Sequence, residues 1–528
     1  MADTHHRPAH GHPPALGRDE LANVLSKGIA RRATEPPARI PGAARTPPRP
    51  AAPSSVGSAG AVPRLAGLPG QLPVAWEVIE ALQSEVSAEL SSQDPQRTLD
   101  PADRRALARK LTSDAVASWA TKYAQGNTPL SEDDEARVAT AVFDAMYRGG
   151  RLQSLLDEEG VEDVMVDGLQ AHVEYYDKPR RTIDKVADSH DELIAWVNRM
   201  AAISGHGERS LTQATPMVGF RMPDGSRVTA SLLTSRPSVV IRKHRIKDHG
   251  LAELVQWAAV NPLLERFLLS CVHARLNVLV VGDMGAGKTT LLRALGRAVP
   301  EAERLVTLES DRELYLDEPG PKPGPVTFAF EARQSNGEVR AGATAGAISI
   351  SDMFATALRY NATRVIVGEV RSTEILPMLQ AMSAGGSGSM CTIHVRRPHA
   401  IVSRLVQLCT EAGMATEAAH HLIASSIDVV VYLTYRDETG IGGRKHRYVS
   451  HIYEVHDVVG EAGRPTITTL FAPTPDEPRA VFQNMPSFIE DLELTGLFAR
   501  QWLTDNATGA WGPPLHLLRG QHPQGVAT

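Results

Sequence analysis

The 528-residue chain is weakly acidic, with 61 Asp and Glu against 55 Lys and Arg and a net charge of −6. That balance excludes a polybasic nucleic-acid binder. Three scattered cysteines, Cys271, Cys391 and Cys409, exclude a disulfide framework and a CxxC zinc ribbon. No apolar run reaches the ~18 residues needed to cross a bilayer, and the start MADTHHRPAHGHPP has no apolar signal core, so the chain is expected in the cytosol.

Residues 1–70 are rich in Pro, Ala, Gly and Arg. Such a composition buries too little apolar surface to offset chain entropy, so this stretch is expected to be a disordered tail. His5, His6, His10 and His12 are irregularly spaced and belong to that tail rather than to a metal site. A second unit is expected over residues 71–245. It opens with helical patterns over Val74–Ser91, Pro101–Gln125 and Ser131–Glu158. Next, VEDVMVDGLQAHVEYYD alternates like two short strands around a turn. A helix over Asp191–Ser204 follows, then a hairpin signalled by Asp224-Gly225, and a last strand in PSVVIRKH.

From residue 251 to about 475 the pattern changes. Short, nearly all-apolar strands (NVLVVG, RLVTLE, TRVIVG, SMCTIH, IDVVVYL) alternate with helices, which indicates a mainly parallel sheet covered on both faces. The segment RKHRYVSHIYEVHDV reads as an antiparallel pair. Residues 476–528 are mixed in composition and are expected to form a carboxyl-terminal extension. The whole is of the α/β class.

The strongest chemical signal is Gly282-Asp-Met-Gly-Ala-Gly-Lys-Thr289, lying between the strand NVLVV and the helix TTLLRALGRA. This is the phosphate-binding loop in its required context. Gly282, Gly285 and Gly287 let backbone N–H groups curl around phosphate oxygens, and the helix N-terminus adds its positive dipole end. Lys288 is expected to reach the β- and γ-phosphates. Thr289 is expected to ligate Mg²⁺ by its hydroxyl, with Thr290 beside it. About eighty residues later, TRVIVGEVR ends a strand at Gly368-Glu369. Glu369 there could bind Mg²⁺ through water or orient the attacking water. Between the two, RLVTLESDREL supplies Glu309 and Glu313, carboxylates that could position water. Lastly, in SAGGSGSMCTIHVRRP a glycine-rich turn leads into a short strand that ends at His394, which could hydrogen-bond a γ-phosphate and report hydrolysis, although a lone histidine is more often structural.

In this order, P-loop, LVTLESDREL, RVIVGEVR and GSMCTIH resemble the Walker A, Asp-box, Walker B and His-box series of the type II/IV secretion ATPase superfamily. Within it the chain looks most like the CpaF-type ATPases of tight-adherence (Flp) pilus systems. VEDVMVDG, SLTQATPMVGFRMPDGSRVTA, SVVIRKH, SRLVQLCTEAGM and IASSIDVVVYL extend the similarity over roughly residues 161–458. The resemblance implies a homohexameric motor, cytoplasmic and bound to the inner face of the membrane through integral platform proteins. Each subunit would pair an amino-terminal α/β domain with a RecA-like domain, hinged near Lys243–Gly250, with ATP and Mg²⁺ between them. It assigns Lys288 and Thr289 to Walker A, Glu369 to Walker B, Glu309 and Glu313 to the Asp box and His394 to the His box. Arg221, Arg227 and Arg242 sit in matching amino-terminal segments and are candidates to touch phosphate, with Arg227 or Arg242 expected to contact ATP in a ring where a neighbour completes the site.

Three positions depart from the family pattern. Ser310 stands at the Asp-box aspartate, Gly386 at the first His-box histidine, and Asn361-Ala362-Thr363 at the usual Arg-Pro-Asp. The absence of a CxxC…CxxC insert argues against zinc, and no nucleic-acid partner is expected. Two other functions compete with the motor: a nucleotide-gated scaffold with little turnover, to which Gly386 and Ser310 are suited, and a DNA-dependent RecA-type ATPase.

Overall fold

The computed structural model describes residues 72 and 74–518, apart from 206–209, 244–248, 321, 334–338, 341–342, 345–346, 385, 461–462, 506–508, 513–514 and 516. The expected 1–70 tail and most of the Lys243–Gly250 hinge lie outside the described residues.

Three helices come first: α1 (Trp76–Gln93), α2 (Pro101–Tyr123) and α3 (Glu132–Tyr147). Asp100 caps α2 by accepting from the Ala102 and Asp103 N–H groups, and Pro101 takes the first turn, where no donor is needed. Ser131 caps α3, whose first turn carries four acidic residues against the positive end of its dipole. Ile79, Leu82, Val86, Val116, Val138, Val142 and Ala145 form the core of this bundle. The sequence pattern extends the third helix to Glu158, but it ends at Tyr147. Gly149 and Gly150 follow, and Gly150 takes a left-handed φ of 53°, so the chain turns into a short helix α4 (Gln153–Leu156).

An antiparallel sheet then forms from β1 (Val161–Asp167), β2 (Gln170–Tyr175) and β3 (Arg181–Ile183), joined after helix α5 (His190–Ile203) by β4 (Met217–Arg221), β5 (Arg227–Ser231) and β6 (Ser238–Arg242). The strand order is β3-β2-β1-β6-β5-β4. Val164, Val166, Val173, Phe220, Val228 and Ile241 pack with Leu193, Trp196, Val197 and Met200 of α5. A two-residue period then puts the polar partners on the opposite face. Across it, Glu174, Asp163, Arg242, Arg227 and Arg221 stand in one register row.

Next come α6 (Leu251–Gln256), α7 (Pro262–His273), β7 (Val278–Gly282), α8 (Lys288–Arg297), β8 (Arg304–Glu309), β9 (Val326–Glu331) and the small hairpin β10 (Val339–Arg340) and β11 (Ala343–Thr344). They are followed by α9 (Ile350–Arg359), β12 (Arg364–Val370), α10 (Ile375–Ser383), β13 (Met390–His394), α11 (Ile401–Glu411), α12 (Thr416–Ser426), β14 (Val429–Asp437), β15 (Lys445–Val459), β16 (Pro465–Ala472), β17 (Val481–Phe482) and α13 (Ile489–Leu494). The nine-stranded sheet runs β17-β16-β15-β14-β7-β13-β12-β8-β9. From β14 to β9 neighbouring strands are parallel, and β7 is buried at every position. One face is covered by α6, α7 and α8, the other by α9 to α12.

Two elements differ from the sequence expectation. The segment read as an antiparallel pair is the single strand β15, paired with β14 on one side and β16 on the other. Its apolar residues, buried on both faces, carry no turn signal that would break it. The stretch from 476 on, expected as an extension, continues the sheet through β17 and fills the core with Ile489, Leu492, Phe498 and Leu503. Phe267 of α7 packs against Phe471, Phe488 and Phe498.

Candidate nucleotide site

The parallel strands β7, β8, β12 and β13 all deliver their carboxyl ends to one edge of the sheet, the edge at which open α/β sheets bind ligands. β7 runs into the loop 283–287, and α8 begins at Lys288 with Gly287 as its left-handed cap at φ 89°. Gly282 is required by space. A Cβ there would lie 2.6 Å from the Leu433 carbonyl oxygen of the adjacent strand β14. Thr289 and Thr290 occupy the first turn of α8, both half-buried. The Thr290 carbonyl accepts a hydrogen bond at 3.2 Å from Nε2 of His249, a buried residue two positions before α6.

Three of the expected residues join in one chain of polar contacts. Lys288 Nζ donates to the Asp283 carbonyl and to His394 Nδ1, each at 3.0 Å. His394 Nε2 lies 2.9 Å from Glu369 Oε1, and Glu369 also pairs with Arg371 at 2.6 Å. Because the lysine donates to Nδ1, the imidazole proton belongs on Nε2, where Glu369 accepts it. Burial pushes the Lys288 ammonium down to about 8, against the opposing pull of Glu369 and Asp283. Burial alone would raise Glu369, but hydrogen bonds from His394 and Arg371 outweigh it and hold the carboxylate at about 2. Glu369 is therefore charged at every physiological pH.

Glu309 is placed differently. It is 2% exposed, and its Oε1 accepts from the backbone N–H groups of Glu313 and Leu314 at 2.9 and 3.0 Å. Burial raises it to about 7, outweighing those two hydrogen bonds. Its hydrogen bonds thus go to the loop after β8 rather than to Lys288. That loop is also tied to α8. Arg293 donates to the Glu313 carbonyl, and Arg297 donates to the Tyr315 and Glu318 carbonyls at 2.8 Å. The arrangement leaves the Glu313 carboxylate close enough for its charge to act on Lys288 and Arg371.

The arginine row of the first sheet meets this loop. Arg221 donates to the Arg312 carbonyl at 3.0 Å and pairs with Glu331 at 2.8 Å. Arg227 pairs with Asp311 at 2.6 Å, whereas Arg242 pairs with Asp163 of its own sheet at 2.9 Å. The hydrogen bond that Arg242 donates to Asp163 raises its pKa against burial, and the charge of Glu313 adds to it. So Arg227 reaches across to the second sheet, and Arg242 is held beside it.

Of the departures from the family pattern, the one at Gly386 has a local explanation. Gly386 N–H donates to the Ala381 carbonyl at 3.0 Å, and a Cβ at 386 would sit 2.5 Å from that oxygen, so this backbone accepts only glycine. Ser310 is followed by Asp311, which takes the partner Arg227. Arg293, Arg297, Arg371 and Arg447, all close to the loop region, were not singled out by sequence. Each is an ordinary basic residue until the fold brings its partner near, and of the four Arg371, two residues after Glu369, lies within a recognisable motif.

The donors fit a nucleotide and a magnesium ion. The Thr289 hydroxyl and the ionised Glu369 are hard oxygen groups of the kind magnesium takes, and the α8 N-terminus with Lys288 is an anion cradle.

Residues 155–484 match the family described as type II/IV secretion system protein. A conjugal transfer protein of Mycobacterium tuberculosis is 30% identical over 301 residues, covering 55% of this chain and 81% of that protein. The type IV secretion system protein PtlH of Bordetella pertussis is 30% identical over 266 residues, covering 45% of this chain and 75% of that protein. Among solved structures, the Legionella pneumophila ATPase DotB is similar at 17% identity and TM-score 0.41, over 67% of this chain and 84% of that one. The VirB11 ATPase of the Brucella suis type IV secretion system, solved with sulphate, is similar at 20% identity and TM-score 0.30, over 60% and 96%. With the match running through both sheets and all four motifs, the chain belongs to the type II/IV secretion system protein family.

Proposed function

We propose that the chain is an ATP-hydrolysing motor subunit of a bacterial secretion or pilus-assembly machine, of the CpaF kind. The observation that carries this reading is the contact chain from the P-loop lysine through His394 to Glu369 at the carboxyl edge of the parallel sheet. In it, Lys288 is the donor for the β- and γ-phosphates. Entry of a phosphate draws its ammonium away from His394 and the Asp283 carbonyl, and so reports occupancy to Glu369. Glu369, permanently ionised, orients the attacking water. Magnesium, held by Thr289 and through water by Glu369, would neutralise charge on the phosphate oxygens. Glu309 fixes the loop that presents Glu313 as a second water-positioning carboxylate.

The reading extends to a homohexameric ring docked on integral membrane platform proteins at the inner face of the membrane. Among the described residues no helix is long and apolar enough to cross a membrane, so attachment through partners is the simplest route. Arg227 and Arg242 lie on rigid strands beside the Asp-box loop. From there one of them supplies a guanidinium to a phosphate when subunits close on one another.

The test is Lys288→Ala in the purified chain. Magnesium-dependent ATP hydrolysis should fall about a thousandfold, equivalent to roughly 4 kcal/mol of transition-state stabilisation. Turnover close to wild type in a folded variant would remove the P-loop from the account.

A further inference from the structure

We infer that Arg447, on strand β15 and outside the four nucleotide motifs, is a positioning residue that lets the first sheet set the shape of the P-loop. The inference rests on the reading that this loop binds a nucleotide.

Arg447 Nε donates to the carbonyl of Gly285, the middle glycine of the loop, at 2.8 Å. Its Nη2 makes a two-point contact with Glu162 of β1, at 3.0 and 3.1 Å to the two carboxylate oxygens. The guanidinium lies over the ring of Tyr176, 4.7 Å from its centroid, and near Tyr435 at 5.2 Å. A planar, always-charged fork suits this arrangement, because one edge meets a carboxylate, another a carbonyl, and the faces stack. The remaining nitrogen, Nη1, is buried with no hydrogen-bond partner among the described residues.

The effect on the loop follows from peptide planarity. The Gly285 carbonyl and the Ala286 N–H belong to one trans peptide and point in opposite directions. With the carbonyl held outward by Arg447, the Ala286 N–H turns inward and meets the Asp283 carbonyl at 3.3 Å. That carbonyl is also the acceptor of Lys288 Nζ at 3.0 Å, so the Ala286 donor faces the space from which the lysine must reach phosphate. Arg447 thus holds a backbone donor toward the phosphate cradle. Glu162 holds Arg447, and Glu162 belongs to the first sheet. Lys445 strengthens the same junction, with Nζ 2.6 Å from the Tyr175 carbonyl and 3.4 Å from Glu174. Movement of the first sheet therefore reaches the P-loop through one arginine, without passing along the linker.

Glu162→Gln is the informative variant. Its side chain is about a third exposed, so the fold tolerates the change, and Lys445 keeps its two other acceptors. Binding of a fluorescent ATP analogue with magnesium, and peptide-level hydrogen exchange over 283–287 without nucleotide, should be measured for wild type, Glu162→Gln, Arg447→Gln and the double variant. Arg447→Gln is expected to weaken binding about tenfold and Glu162→Gln about fivefold. The double variant should match Arg447→Gln within twofold, because the Glu162 carboxylate reaches the loop through the arginine, and its other partner, Lys445 at 3.7 Å, is tied to the first sheet rather than to the loop. Exchange over 283–287 should quicken in all three, with melting temperatures close to wild type. Losses that multiply in the double variant, or wild-type binding and exchange in Glu162→Gln, would overturn the inference. A wild-type chain that binds no nucleotide would overturn the functional reading instead. In that case the exchange measurement still decides whether Arg447 orders the loop.

Discussion

Replacing Glu309 by glutamine should change how the protein's stability depends on pH. The wild-type carboxyl is 2% exposed and is raised by burial from its ordinary 4.5 to about 7. The folded chain therefore holds this proton more tightly than the unfolded chain does. The penalty for burying the charge is fully present above about pH 7 and disappears as pH falls through 7 toward 4.5, so stability from this group rises as pH is lowered. A difference of about 2.5 pH units at ~1.4 kcal/mol each gives roughly 3 kcal/mol above pH 8 and under about 1 kcal/mol at pH 5. The amide oxygen of glutamine still accepts from the Glu313 and Leu314 N–H groups but carries no charge at any pH. Urea unfolding followed by tryptophan fluorescence, at pH 5, 7 and 8.5, should show wild type losing about 2–3 kcal/mol relative to Glu309→Gln between the extremes. Trp502 and Trp511 pack against the core of this sheet and report its unfolding. Two stability curves that stay parallel across this range would mean that Glu309 is ionised throughout, and that burial does not govern it.

Gly282→Ala should destabilise the P-loop domain by about 1–3 kcal/mol, read as a lowered melting temperature, because its Cβ would have to displace a backbone carbonyl rather than a side chain. An unchanged melting temperature would show that strand β14 gives way easily. If activity requires a ring, adding Lys288→Ala subunits to wild type should depress specific activity more than in proportion to their fraction, and dilution of wild type should lower it. Strictly proportional loss, with activity independent of concentration, would show self-sufficient sites.

How much of this was legible in the sequence depended on how local each signal was. The nearly all-apolar strands NVLVV and TRVIV announced a buried parallel sheet, because strands covered on both faces tolerate apolar residues at successive positions. The P-loop was legible for the same reason: its glycines, Lys288 and Thr289 act within one turn of chain. Glu309 and Glu369 read alike as carboxylates ending apolar strands, yet their surroundings separate them. Glu369 meets Arg371 and His394, whereas Glu309 accepts from two backbone N–H groups and its burial dominates. No sequence pattern distinguishes those outcomes, because the partners come from β13 and from a loop turning back on itself. Arg447 was illegible for a related reason, since Glu162 and Gly285 lie 285 and 162 residues away in the chain. Strand β9 was not read from the sequence although VTFAFE is mostly apolar; it is the edge strand of the sheet and is largely exposed.

The most direct measurement of the central claim is a single-turnover experiment with radiolabelled ATP and magnesium on wild type and Glu369→Gln. The amide keeps the shape of the side chain and removes the charge that His394 and Arg371 hold in place. Wild type should release ADP and phosphate, while the variant should bind ATP with similar affinity and retain it uncleaved, its rate lower by about two orders of magnitude or more. Cleavage by Glu369→Gln at the wild-type rate, or loss of ATP binding with the variant folded, would contradict the assignment of Glu369 and with it the proposed hydrolytic site.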